Sequence, residues 1–107
     1  MSELENLYQT ALERKNNPEE GSYTNYLYDK GLEKILKKIG EETTEVVVAA
    51  LTQSNDDLIG ELNDLVYHVI VLMVEKGITL EDVEREMIRR SEKTHNLKPE
   101  RKPVTKV

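Results

Sequence analysis

The chain has no cysteine, which removes a disulfide framework, a thiolate nucleophile and a sulfur-rich zinc site together and leaves metal chemistry to oxygen and imidazole. Tryptophan and phenylalanine are absent too, so five tyrosines are the whole aromatic supply. Three prolines and five glycines leave few breakers, a composition that favours long helices over strands and turns. No apolar run approaches the ~20 residues of a membrane span, and the N-terminus lacks a basic-then-apolar leader pattern. The expectation is a cytoplasmic protein with no membrane partner. Positive charge is the minority: 15 Lys and Arg stand against 21 Asp and Glu, a formal net charge of −6. A general nucleic-acid surface is therefore not expected, and any phosphate site has to be built locally from a few cations.

What is present is the raw material of one small all-α domain. With 107 residues, 34% charged and 37% hydrophobic, the chain supports a single thin core that partner helices would complete. Ser2 and Glu5 have capping-box spacing, and Leu4, Leu7, Tyr8, Ala11 and Leu12 follow at helical period until Asn16-Asn17-Pro18. Ser22 caps a second helix. Gly31 interrupts it without having to end it, and Leu32, Ile35, Leu36, Ile39, Val46, Val47, Ala50 and Leu51 continue the longest amphipathic row. Val46-Val47-Val48 has strand propensity, yet its flanks keep the helical period without turn residues, so it reads as helix. Ser54 caps a third helix running to Gly77, and Thr79 with Asp82 caps a fourth that fades near Ser91. These are four main helices with short connections, hence an antiparallel bundle over residues 1–92 followed by a basic polar tail, 93–107.

The acids of two consecutive helices carry the chemistry. Glu42 and Glu45 stand three apart on one helix, Glu61 and Asp64 three apart on the next, each couple on one face. Glu42 continues the apolar row Ile35, Ile39, Val46, Ala49, while Glu61 and Asp64 lie beside Leu58, Leu62, Leu65 and Val69. Antiparallel packing about a turn near Ser54 puts both couples at similar height. Carboxylates gathered on largely apolar faces repel one another and lose hydration, so either they hold protons or a cation sits among them. The cation is the favoured reading; the alternative is an ordinary solvated acidic face, because Glu is a strong helix former. An all-oxygen ligand set suits Mg²⁺, or Mn²⁺, and Mg²⁺ commonly completes its shell with substrate phosphates. Glu41, about 100° round the helix, is a candidate water-orienting base as well as an ordinary exposed acid.

Phosphate contacts require cations, and Lys38, at i−4 to Glu42, is the best placed. Arg89 and Arg90 near the end of the fourth helix are further basic candidates. His68, one turn beyond Asp64, is either a hydrogen-bonded structural residue or a substrate contact. Tyr23, Tyr26, Tyr28 and Tyr67 offer rings for stacking on a base or sugar, though such tyrosines are commonly half-buried core.

These residues resemble a known family. Glu41-Glu42-x-x-Glu45 followed by Glu61-x-x-Asp64 is similar to the MazG-like all-α nucleoside triphosphate pyrophosphohydrolases. Ser22-Tyr23-Thr24 with Lys30-Gly31, Lys38-Ile39-Gly40, Tyr67-His68 and Gly77-Ile78-x-Leu80-Glu81-Asp82-Val83 narrow the resemblance, from about residue 4 to 91, to the phosphoribosyl-ATP pyrophosphohydrolases of histidine biosynthesis. The chain departs from that pattern mildly at Asn63 and more clearly beyond Ser91.

The resemblance implies Mg²⁺-assisted hydrolysis of phosphoribosyl-ATP between its α and β phosphates. Glu42, Glu45, Glu61 and Asp64 would be metal ligands, Glu41 and Glu45 catalytic groups, and Lys38, Tyr23, Lys30, His68 and Arg90 substrate contacts. It also implies a homodimer whose subunits complete each other's bundle. The rivals are a house-cleaning pyrophosphatase of free (d)NTPs and a non-enzymatic helical interaction module.

Overall fold

The computed structural model describes residues 2–93. Five α-helices account for the fold: α1 Glu3–Asn16, α2 Tyr23–Lys30, α3 Leu32–Thr52, α4 Asn55–Lys76 and α5 Leu80–Ser91. No strand occurs among the described residues, and Val46-Val47-Val48 is helical. Most of the basic tail expected over 93–107 lies outside the described residues.

Local chemistry sets the boundaries. Ser2, Ser22, Ser54 and Thr79 each accept a hydrogen bond from the backbone N–H three residues on, satisfying donors that the first helical turn leaves free. At Thr79 the box is reciprocal, because the Asp82 carboxylate accepts from the Thr79 N–H at 2.9 Å. Gly77 ends α4 in the left-handed region, at φ 70° and ψ 24°. The expected second helix is in fact two. Gly31 stands at φ 89° and ψ −176°, a backbone open in practice only to glycine, so α3 leaves on a new axis from α2.

The 21-residue α3 and 22-residue α4 form the central hairpin, joined by Gln53 and Ser54. α1 packs on α4 through Tyr8, Ala11, Ile70, Met73 and Val74; α2 closes the other end through Leu27 against Ile35 and Val71. Polar cross-links reinforce both contacts. The Tyr28 hydroxyl donates to the Ala11 carbonyl at 2.8 Å, and buried Asn25 donates to the Arg14 carbonyl at 2.7 Å while accepting from the Glu19 N–H. Burial pushes the Tyr28 phenol up to about 12.

Several residues expected in the core are outside it. Val47, Leu51, Leu62 and Val69 are exposed along α3 and α4, Leu51 at 79%, and Ile59 and Val66 are exposed beside them on α4. Glu42 does continue the row of buried Ile35 and Ala49, but no layer among the described residues covers the remaining stripe. On α5, Leu80 packs against the α1–α4 cluster, whereas Val83, Met87 and Ile88 stay exposed and no residue of the helix is buried.

Candidate metal and phosphate site

The α3–α4 hairpin brings Glu42, Glu61 and Asp64 together, with one carboxylate oxygen from each within 4.8 Å of the others. Glu42 and Glu61 are half-buried and Asp64 is exposed, so the cluster opens to solvent on one side. Partial burial raises the Glu61 carboxyl above its ordinary value, and the neighbouring charges of Glu45, Asp64 and Glu42 push it the same way. Glu45 is thus within electrostatic reach of the cluster, but it is an exposed side chain outside the group of three. Glu41 is also exposed.

A positive group stands against this charge. Lys38 Nζ lies 3.8 Å from Glu42 Oε1, with both side chains largely covered. The donors are hard oxygens, with neither thiolate nor imidazole among them, a set suited to Mg²⁺ or Mn²⁺.

α2 lays an aromatic group beside the acids. Tyr23 and Tyr26 stack with centroids 5.9 Å apart, and Tyr23 and Tyr67 at 6.1 Å. Lys30 and Lys34 reach over the Tyr26 ring at 5.8 and 5.9 Å. Burial raises the Tyr23 phenol, Lys38 opposes the shift, and Tyr67, Glu42 and Tyr26 add to it. Acids, lysines and aromatic rings therefore meet where α2, α3 and α4 come together.

From residue 4 to residue 91 the chain matches the family described as Phosphoribosyl-ATP pyrophosphohydrolase. The chain belongs to that family. A phosphoribosyl-ATP pyrophosphatase of Clostridium novyi is 54% identical over 104 residues, covering 97% of this chain and 94% of the relative. One from Streptococcus thermophilus is 54% identical over 102 residues, covering 95% and 97%. The histidine biosynthesis bifunctional protein HisIE of Caldanaerobacter subterraneus is 56% identical over 90 residues, which cover 84% of this chain and 44% of that longer protein.

For a phosphoribosyl-ATP pyrophosphohydrolase fold, the remaining expected residues divide sharply. His68 is buried at 5% exposure and bonded through both ring nitrogens, to Tyr23 at 3.0 Å and to the Asp64 carbonyl at 2.7 Å. Lys30 is drawn to the Tyr26 ring and not to the acids. Arg90 is held by Glu86 at 2.9 Å on its own helix. Sequence reasoning quoted Thr24 only as part of a motif and gave it no contact, yet its hydroxyl bonds the Tyr67 hydroxyl; Lys34 lies over the Tyr26 ring. The polar run Ser22-Tyr23-Thr24-Asn25 at a helix start was the available signal, since Ser22 caps and each of the next three side chains bonds elsewhere or stacks.

Proposed function

We propose that this chain hydrolyses phosphoribosyl-ATP at its α–β phosphate bond, consuming one water and releasing phosphoribosyl-AMP and pyrophosphate, as a step of histidine biosynthesis in the cytoplasm. The observation that carries the reading is the convergence of Glu42, Glu61 and Asp64 beside Lys38 in a chain of this family. The donor set fits Mg²⁺, with Mn²⁺ as a substitute, and such an ion would supply neutralising charge for the phosphate oxygens.

The protein's own groups do the rest. Glu42, Glu61 and Asp64 would hold the ion, and Glu45, one turn on along α3, would be the fourth carboxylate within reach. Glu41 orients the attacking water and takes its proton. Lys38 holds a phosphate oxygen, while the Tyr23 and Tyr26 rings receive the nucleoside portion.

The apolar stripe of α3 and α4 that the described residues leave exposed supports a homodimer, because a second copy would cover it. Among the described residues no helix is long and apolar enough to cross a membrane.

The deciding assay follows pyrophosphate release from phosphoribosyl-ATP with Mg²⁺, with EDTA, and for Glu61→Gln, beside a panel of dNTPs. Release from phosphoribosyl-ATP alone, abolished by EDTA and by the variant, is expected. Preferential turnover of dNTPs would make the chain a house-cleaning pyrophosphatase. No release from any nucleotide would leave an interaction module.

A further inference from the structure

His68 and Tyr23 form a directed pair. The Asp64 carbonyl can only accept, so its 2.7 Å bond with the imidazole fixes the proton of the neutral ring on Nδ1. Nε2 is then a lone pair, and the Tyr23 hydroxyl 3.0 Å away donates to it. A phenol has one proton. With that proton committed, the Tyr23 oxygen can only accept from anything else.

Exposure separates the two roles. His68 is buried with both nitrogens engaged, whereas Tyr23 is exposed and within electrostatic reach of Lys38 and Glu42. Holding α2 in place does not depend on this bond alone, because Thr24 bonds Tyr67 next to it and Leu27 is fully buried below.

We propose that His68 is a positioning residue that presents the Tyr23 oxygen, beside the carboxylate cluster, as an acceptor for a neutral hydrogen-bond donor of the nucleotide, a sugar hydroxyl or a base N–H. A phosphate oxygen is itself an acceptor and is not the partner. The inference rests on the hydrolase reading given above.

The test compares the native chain with Tyr23→Phe, His68→Asn and His68→Gln. Asn keeps an N–H for the Asp64 carbonyl and loses the acceptor at the Nε2 position; Gln sets a carbonyl oxygen near that position. Tyr23→Phe and His68→Asn should each raise KM for phosphoribosyl-ATP about threefold to tenfold, the range of one neutral hydrogen bond, with kcat within about twofold. The double variant should be no worse than either single one, and His68→Gln should restore most of the native KM.

Inhibition by AMP and by IMP identifies the donor. An equal Tyr23→Phe penalty on both assigns a sugar hydroxyl, and a penalty on AMP alone assigns the base amino group. Imidazole ¹⁵N shifts, with the His68 signals assigned by their loss in His68→Gln, should show a proton on Nδ1 and none on Nε2. A proton on Nε2, additive effects of the two variants, or a changed melting temperature with native KM would overturn the proposal. Absence of turnover by the native chain would instead defeat the hydrolase reading, with the ring tautomer still testing the pair.

Discussion

Lys38 and Glu42 face each other across one turn of α3, 3.8 Å from ammonium to carboxylate, so the site keeps a cation and a metal-ligand candidate on the same helix face. The pair makes opposite demands on the two ligands. Lys38→Met should tighten Mg²⁺ binding, because a competing positive charge is gone, while lowering kcat/KM for phosphoribosyl-ATP by about tenfold to a hundredfold through loss of a charge-assisted phosphate contact. Mg²⁺ titration followed by calorimetry, beside steady-state kinetics, reads both signs in one variant.

The acid cluster should make the metal-free protein sensitive to pH. Glu61 is raised above its ordinary 4.5 by partial burial and by Glu45, Asp64 and Glu42. An acid raised on folding binds its proton more tightly in the folded state, so stability is lost as pH rises from the unfolded value through the folded one. Without Mg²⁺ the melting temperature should therefore increase as pH falls toward the ordinary 4.5 of a glutamate. Mg²⁺ should reverse the trend by stabilising the ionised cluster. Glu61→Gln should melt higher than the native chain in EDTA at neutral pH and gain little from Mg²⁺.

On α5 the sign is opposite. Hydrogen bonds from Arg89 and then Arg90 lower Glu86 to about 2. Stability from a lowered acid is present above its unfolded value of about 4.5 and is lost as pH falls through about 2. Carboxyl NMR should find Glu86 titrating near that low value in the native chain. In Arg89→Ala/Arg90→Ala it should titrate back toward 4.5, with α5 helicity no longer falling in the acid range.

Gly31→Ala places a Cβ at φ 89°, where the backbone excludes side chains, although no neighbouring atom lies within 4 Å. The cost is conformational, about 1–3 kcal/mol. In a domain of this size that lowers the melting temperature by roughly 4–8 °C per kcal/mol. Because Gly31 sets the angle between α2 and α3, KM should rise as well when Tyr23 and Tyr26 shift relative to Lys38.

The bare stripe of α4 gives the test of assembly. Val66→Asp puts a charge in the middle of Ile59, Leu62 and Val69, all exposed in the single chain. Sedimentation should show a dimer for the native protein and a monomer for the variant, since a buried unpaired carboxylate is far more costly than an exposed one.

Much of this was legible in the sequence because it depends on spacing. The caps at Ser2, Ser22, Ser54 and Thr79, the αL stop at Gly77 and the meeting of Glu42 with Glu61 and Asp64 all follow from local chemistry and helical period. Gly31 was read as an interruption, but its dihedrals, which make two helices of one, depend on how α2 packs on α3. The stripe of Val47, Leu62 and Val66 reads as core by period alone, and periodicity does not say which chain supplies the cover. His68 was visible as a residue facing the same way as Asp64. Its commitment to Tyr23 depends on a contact forty-five residues away in sequence, which no local pattern carries.

All three converging carboxylates come from one hairpin, residues 32–76, whose two helices are joined by Gln53 and Ser54. Closing so short a connection costs little chain entropy, and contacts local in sequence form early. The carboxylate triad therefore has no need to wait for α1 or α5 to dock. A divalent ion bound among these carboxylates would then stabilise the hairpin as soon as it forms, ahead of every contact that α1 and α5 add.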